Sequence, residues 1–322
     1  MVSGPNRIAI FGSSIFAIAG FYTDYDRLQH VVAASDNGNV FEVHWDPVTL
    51  DPSEVAPGYP PVKQLGHFDN SVTIAGFFTP DDKYHHAVVG TRDGNLHEFY
   101  YRLDESLHIT ETHKTDLPLS FISGFHSGCG MASFYSPYDN LRHVVIVDSM
   151  GKLEDITWIS ALSPVRQPIT IPLSVNQIAS ISGFLSHDEN PNTRHIIVAQ
   201  NDHGQIYDID YPDENHVPST VGQDYVKTRF DYPVRNVTAF FSSDNNYRHI
   251  VVLTRELGQD WLKLRAYDTY GCHLIEKPPI SLTSIPGNVA DITSFYNAHD
   301  QLCHVLCATQ DGSLYEFTYT SQ

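Results

Sequence analysis

The sequence predicts an all-β protein, a six-bladed β-propeller of four-stranded antiparallel blades. Three observations carry this. A histidine recurs at His30, His86, His143, His195, His249 and His304, at intervals of 52 to 57 residues. A fixed period of that size marks an array of one supersecondary unit. After each histidine comes a nearly continuous apolar run, such as V-V-A-A, A-V-V-G or V-V-I-V, which reads as a strand buried on both faces. The chain ends are complementary as well. The sequence stops just after the third strand of unit six, and the short strand Arg7 to Phe11 precedes unit one with no unit of its own. The N-terminal strand is therefore expected to complete the last blade. The 322 residues form a single domain, with blades at roughly 13–68, 69–126, 127–174, 175–232, 233–286, and 287–322 plus 1–12.

Each unit opens on an inner strand with small residues before a phenylalanine: I-A-G-Phe21, I-A-G-Phe77, M-A-S-Phe134, I-S-G-Phe184, V-T-A-Phe240 and I-T-S-Phe295. Small side chains let six backbones crowd round one axis. A loop rich in Asp, Asn and Pro follows and supplies turn chemistry. The second strand begins at the repeated histidine. The next turn carries Gly38, Gly94, Gly151, Gly204, Gly258 and Gly312, suited to the positive φ of a tight hairpin. The third strand alternates and ends on an aromatic: Trp45, Tyr101, Trp158, Tyr211, Tyr267 or Tyr319. A more polar fourth strand, as near Lys63 and Ile169, suits an outer edge, where proline and lysine discourage sheet-to-sheet pairing.

Composition excludes some partners. With 38 acids against 19 bases the formal charge is −19, which opposes nucleic acid and anionic membrane surfaces. Protonation of all 18 histidines would bring it to −1, so solubility should fall in mild acid. Cys129, Cys272, Cys303 and Cys307 show no regular pairing, so no disulfide framework is expected. No charged-then-apolar leader opens the chain and no run approaches about 18 apolar residues. A soluble protein without membrane insertion is expected, cytoplasmic or non-classically secreted.

An acid lies four residues after each turn glycine, at Glu42, Glu98, Asp155, Asp208 and Glu316. Unit five departs: its hairpin is about two residues longer and Leu264 takes the acid position. Histidine and acid fall on neighbouring strands. In one reading they fix the hairpin as a paired buried network. In another they bind sugar, since a sugar site needs an aromatic for the C–H face of the ring and polar groups for its hydroxyls. Six weak sites would make a strong multivalent binder.

The pattern H-V-V-x-x-x-D-x-G-x-V-x-E-x-x-W, spelled out by His30 to Trp45, resembles the repeat of the fungal fucose-specific lectins, which are six-bladed propellers. The resemblance covers the whole chain. In that family an arginine and a glutamate bind sugar hydroxyls and aromatics pack on the sugar. The resemblance implies that the acids Glu42, Glu98, Asp155, Asp208 and Glu316 and the aromatics Trp45, Tyr101, Trp158, Tyr211 and Tyr319 serve a glycan or glycoconjugate. The family's arginine position is read as the histidine, and His30, His86, His143, His195 and His304 join the candidate set. Histidine cannot make arginine's bidentate fork. Unit five is expected to be the weakest or an absent site.

Other readings remain. A protein-interaction scaffold would use a propeller face, and an acidic surface favours a basic partner. Lactonase-like propellers hold an axial metal, and Asn70, Asn176, Asn236, Asn288 and Asp291 lie near inner strands. They share no repeated offset, which fits turn chemistry better. His304 with Cys307, and the pair His85-His86, lack the further ligands of a zinc site. No sialidase box S-x-D-x-G-x-x-W is present. The expectation is a binding protein, not an enzyme, without metal or cofactor.

Overall fold

The structure, a computed structural model, describes residues 2–47, 62–117, 130–148, 152–159, 164–169, 178–186, 193–200, 204–212, 226–268 and 274–321. These residues form six antiparallel sheets and no helix. Blade one runs Ile15–Thr23, Leu28–Ser35, Asn39–Trp45, Lys63–His67, and blade two Ser71–Thr79, Tyr84–Thr91, Leu96–Leu103, Ile109–Leu117. Blade three is Ala132–Ser136, Leu141–Val147, Leu153–Trp158, Val165–Ile169, and blade four Ile178–Ser186, Thr193–Gln200, Gln205–Pro212, Val226–Arg229. Blade five has Val234–Ser242, Tyr247–Glu256 and Gln259–Asp268, with an outer edge in two pieces, Leu274–Glu276 and Ile280–Ser281. The break falls at Pro278-Pro279, which cannot donate to the ladder.

Blade six is closed by the chain's beginning. Val289–Asn297, Leu302–Thr309 and Ser313–Thr320 are completed by Val2–Ile10. The N-terminal strand runs antiparallel to the last one, Ile10 opposite Ser313 and Val2 opposite Tyr319. Ile8, Ala9 and Phe11 are buried in the seam, and Phe11 N donates to the Gly312 carbonyl at 2.8 Å.

The six inner strands stand side by side in a closed ring. They belong to different sheets, so side chains bridge them. Gly20 N donates to Thr293 Oγ1 at 2.8 Å, Ala239 N to Ser182 Oγ at 3.0 Å, and Ser133 Oγ to the Gly76 carbonyl at 3.1 Å. Crowding explains the small residues: a Cβ on Gly76 would sit 2.8 Å from Val32 and 2.9 Å from the Phe21 ring.

The core is six apolar clusters, each filling one junction between adjacent blades. The second strands supply most of it, for instance Val31, Val88, Val144, Ile196, Val251 and Val305, all fully buried. Each such side chain contributes about 1.5–3 kcal/mol. The blade junction is thus where stability is concentrated and where the repeated polar residues must find partners.

Candidate functional site at the blade junctions

Strand register decides which side chains meet. In blade one His30 stands opposite His44, Val32 opposite Glu42, and Gln29 opposite Trp45. Side chains alternate between faces along a strand. His30 and Glu42 therefore share one face, and Gln29 and Trp45 share the other. The three-residue step from acid to aromatic puts them on opposite faces of their own blade. The rule repeats, with His85 opposite Tyr101, Arg142 opposite Trp158, Arg194 opposite Tyr211, Arg248 opposite Tyr267, and Cys303 opposite Tyr319. Each junction sets the histidine–acid face of one blade against the next blade's aromatic and the residue preceding its histidine.

Five histidines turn Nδ1 to the acid on the neighbouring strand: His30 to Glu42 at 3.1 Å, His86 to Glu98 at 2.8 Å, His143 to Asp155 at 3.0 Å, His195 to Asp208 at 2.9 Å and His304 to Glu316 at 2.8 Å. All six rings stack on the phenylalanine opposite them on the inner strand, with centroids 4.7 to 5.3 Å apart. The histidines and acids are at most 5 % exposed, as are Trp45, Tyr101, Trp158, Tyr267 and Tyr319. The Tyr211 side chain lies outside the described residues, as does Gly151.

The other ring nitrogen divides the histidines into two classes. Nε2 of His30, His143 and His304 faces a second carboxylate, Asp26 at 3.1 Å, Asp139 at 3.2 Å and Asp300 at 3.0 Å. Acceptors at both nitrogens call for a proton on each. Burial opposes the charge, but the paired carboxylates outweigh it, holding His30 and His304 up at about 9 and raising His143. In the other three blades Nε2 faces a hydroxyl, Thr79 at 2.7 Å, Ser186 at 3.1 Å and Ser242 at 2.9 Å. Burial there pushes His86 down against the pull of Glu98, and with the charge of Lys277 it pushes His249 down to about 3.

The facing blade completes each junction. Between blades two and three, Arg142 is ion-paired with Asp82 and stands 3.7 Å from Glu98. Between three and four, Arg194 donates to Asp139 at 2.6 Å. Between four and five, the Tyr267 hydroxyl donates to Asp208 at 2.7 Å and the Arg248 guanidinium lies 5.9 Å from the Tyr267 ring. Between five and six, Leu264 sits opposite Val251, the register position of the acids elsewhere. Between six and one, the Gln29 amide nitrogen is 3.1 Å from His304 Nε2, and Trp45 packs with Ile8, Phe295 and Leu306. Between one and two, His85 Nε2 donates to Asp26 at 2.9 Å and stacks on Tyr101. His44 Nδ1 donates to Glu42 at 3.0 Å there and its Nε2 to the Leu107 carbonyl at 2.9 Å.

Sequence reasoning passed over two positions. The residue before each histidine, Gln29, His85, Arg142, Arg194, Arg248 or Cys303, reaches across the junction. The residue four before it, at Asp26, Asp82, Asp139 and Asp300, supplies the rim carboxylate. Both offsets are constant in the sequence and were legible there. The axial candidates separate. Asn236 bonds Asp291, whose carboxylate also accepts from Ile18 N at 2.7 Å and Ile292 N at 2.9 Å. Burial pushes the Asp291 carboxyl up to about 7 despite those donors. The Asn70 and Asn288 carbonyls accept turn hydrogen bonds from Arg92 and Gln310, and Asn176 lies outside the described residues. Cys303 and Cys307 are free and buried, while Cys129 and Cys272 are outside the described residues. His304 and Cys307, three apart on one strand, point to opposite faces.

The chain matches no protein-family model and no curated protein sequence. Among solved structures it is similar to AofleA from Arthrobotrys oligospora, at 14% identity and a TM-score of 0.62, covering 100% of this chain and 86% of that one. It is similar to the SapL1 lectin in complex with alpha methyl fucoside, at 12% identity and 0.59, covering 98% and 96%. It is also similar to the fucose-specific lectin from Aleuria aurantia, at 12% identity and 0.58, covering 98% and 94%. The likeness is one of fold and spans the whole propeller.

Proposed function

We propose that the protein is a non-enzymatic, lectin-like carbohydrate-binding propeller whose repeated sites are the blade junctions. One observation carries the reading. Three successive junctions bring a carboxylate, a guanidinium and an aromatic together: Glu98 with Arg142 and Trp158, Asp139 with Arg194 and the Tyr211 position, and Asp208 with Arg248 and Tyr267. The guanidinium lacking at the histidine position comes from the residue before it. Charged bidentate donors suit vicinal sugar hydroxyls, and an aromatic face suits a sugar's C–H face. The two lectins above are described as fucose-specific or bound to a fucoside, and a variant of AofleA with three arginines replaced by alanine has also been solved. A sugar entering between blades two and three meets Asp82 at the mouth and the buried Arg142 beneath it, with His86, Glu98 and Trp158 behind as support. Junction five to six, with Leu264 and Cys303, is the weakest.

The test is a glycan array at pH 7, with and without calcium, followed by titration of wild type and Arg142→Ala with methyl fucoside. Specific binding that weakens at least several-fold in the variant supports the reading. A blank array sinks it and favours a protein-interaction scaffold. That alternative draws on a cavity of about 580 Å³ at the axis, a size typical of ligand sites, lined by Phe21, Tyr22, Phe77, Phe78, Phe240 and Tyr296.

A further inference from the structure

The junction between blades one and two differs from its neighbours in what stands opposite the rim carboxylate. At the next two junctions Asp82 and Asp139 face the guanidinium of Arg142 and Arg194. At this one Asp26 faces His85, a residue that ligates metals where arginine cannot. The neutral structural account is a substituted ion pair, but three features go beyond it. His30 Nε2 and His85 Nε2 approach the same oxygen of Asp26, at 3.1 and 2.9 Å. Their rings lie 4.3 Å apart between centroids. His85 Nδ1 is buried with no hydrogen-bond partner among the described residues, so the ring is less well satisfied than any simple pair requires.

We propose that this junction binds a first-row transition metal ion of the zinc class, with Nε2 of His30, Nε2 of His85 and a carboxylate oxygen of Asp26 as protein ligands. The donor atoms lie within 4.8 Å of one another. Tetrahedral bonds of about 2.0–2.1 Å put ligand atoms roughly 3.3 Å apart, so a small outward shift of the Asp26 oxygen admits the ion. Two imidazoles and one carboxylate select zinc, cobalt, nickel or copper over calcium and magnesium. Behind the site, His30 Nδ1 donates to Glu42, which also accepts from His44, itself anchored on the Leu107 carbonyl. This is the carboxylate–histidine support that orients metal-bound imidazoles. A divalent ion balances the two carboxylates, Asp26 and Glu42, with neutral imidazoles around it. Asp26 is 10 % exposed and provides the entry. Three protein ligands leave a fourth position for water. The cluster His30, Glu42 and His44 also has ligand spacing, but it lies deeper and acts as the support.

The experiment is a Co²⁺ titration of the metal-stripped protein near pH 7.5. The proposal expects visible d–d bands of four-coordinate cobalt that saturate at one ion per chain and are displaced by Zn²⁺. His85→Arg recreates the arrangement of the next two junctions and should remain folded by circular dichroism, yet lose the bands. Asp26→Asn should weaken binding at least tenfold. His113→Gln, an exposed histidine on the outer strand of blade two, should leave the bands in place. Zn²⁺ should raise the melting temperature of wild type and not of His85→Arg. No bands in wild type, or bands that persist in both His85→Arg and Asp26→Asn, overturn the proposal.

Discussion

His249 Nδ1 lies 3.3 Å from the hydroxyl of Tyr319, across the junction between blades five and six. In the other five blades that nitrogen faces a carboxylate of its own blade. Here the register position of the acid is Leu264, and an uncharged partner from the next blade takes over. The exchange leaves His249 with no carboxylate at Nδ1, and burial together with the charge of Lys277 holds it in its uncharged form.

Replacing this histidine should therefore be cheap. His249→Leu is expected to cost about 1 kcal/mol, the net worth of ordinary hydrogen bonds. His143→Leu should cost about 3–5 kcal/mol, because it takes the histidine cation from the buried Asp155, while Asp139 keeps Arg194. Urea unfolding of the two variants measures the difference. Equal losses would mean that the histidine's packing against phenylalanine, common to both, sets its contribution.

The two histidine classes should act on opposite sides of neutrality. His304 is faced by Glu316, Asp300 and Gln29 and is held at about 9 against the ordinary 6.5. A raised pKa stabilises fully below the unfolded value and is lost as pH rises through 9. On that basis stability should fall by on the order of 3 kcal/mol between pH 6.5 and 9.5. His249 acts with the other sign. Kept neutral and titrating near 3, it stabilises above about 6.5 and weakens the fold as pH falls below that. Melting temperature against pH should be bell-shaped. His304→Gln should lower it at pH 7 and flatten its alkaline side.

How far these features can be read from the sequence follows from their kind. Period, strand order and ring closure rest on local patterns repeated six times, and Val2–Ile10 docks where the missing strand of blade six required. The contacts between acid and histidine follow from hairpin neighbours. The partner across each junction does not, because it depends on which blade face meets which. The step from Glu98 to Tyr101 already places them on opposite faces, so an acid and an aromatic of one unit never share a site. Arg142, Arg194 and Arg248 do not stand out in the repeat, because the same position is Gln29, His85 and Cys303 in the other three units. Burial of the pairs was also not readable, since a polar pattern does not show whether it is met by water or by the next blade.

Closure by the N-terminal strand predicts a large effect of a small truncation. Removing residues 1–11 exposes the last strand's edge and the seam filled by Ile8, Ala9 and Phe11. The lost apolar burial alone is worth about 5 kcal/mol, and a bare edge strand invites aggregation. The truncated chain should melt well below wild type and associate at concentrations where the full chain does not. Light scattering and differential scanning calorimetry would check both.

Glu98→Gln and Asp82→Asn should separate support from contact at the junction of blades two and three. Glu98 is buried, 2.8 Å from His86 and 3.7 Å from Arg142. Neutralising it removes a charge-assisted bond inside the junction and should cost about 2 kcal/mol. Asp82 sits at the mouth with its carboxylate a quarter exposed, and Arg142 beneath it keeps Glu98 3.7 Å away, so the loss should stay at about 1–2 kcal/mol, below that of Glu98→Gln. If a sugar enters from this rim, Asp82→Asn should weaken glycan binding more than it weakens the fold, and Glu98→Gln the reverse. Chemical denaturation and sugar titration on the same preparations give both numbers. Parallel losses in the two variants would place the sugar contact at the buried pair itself.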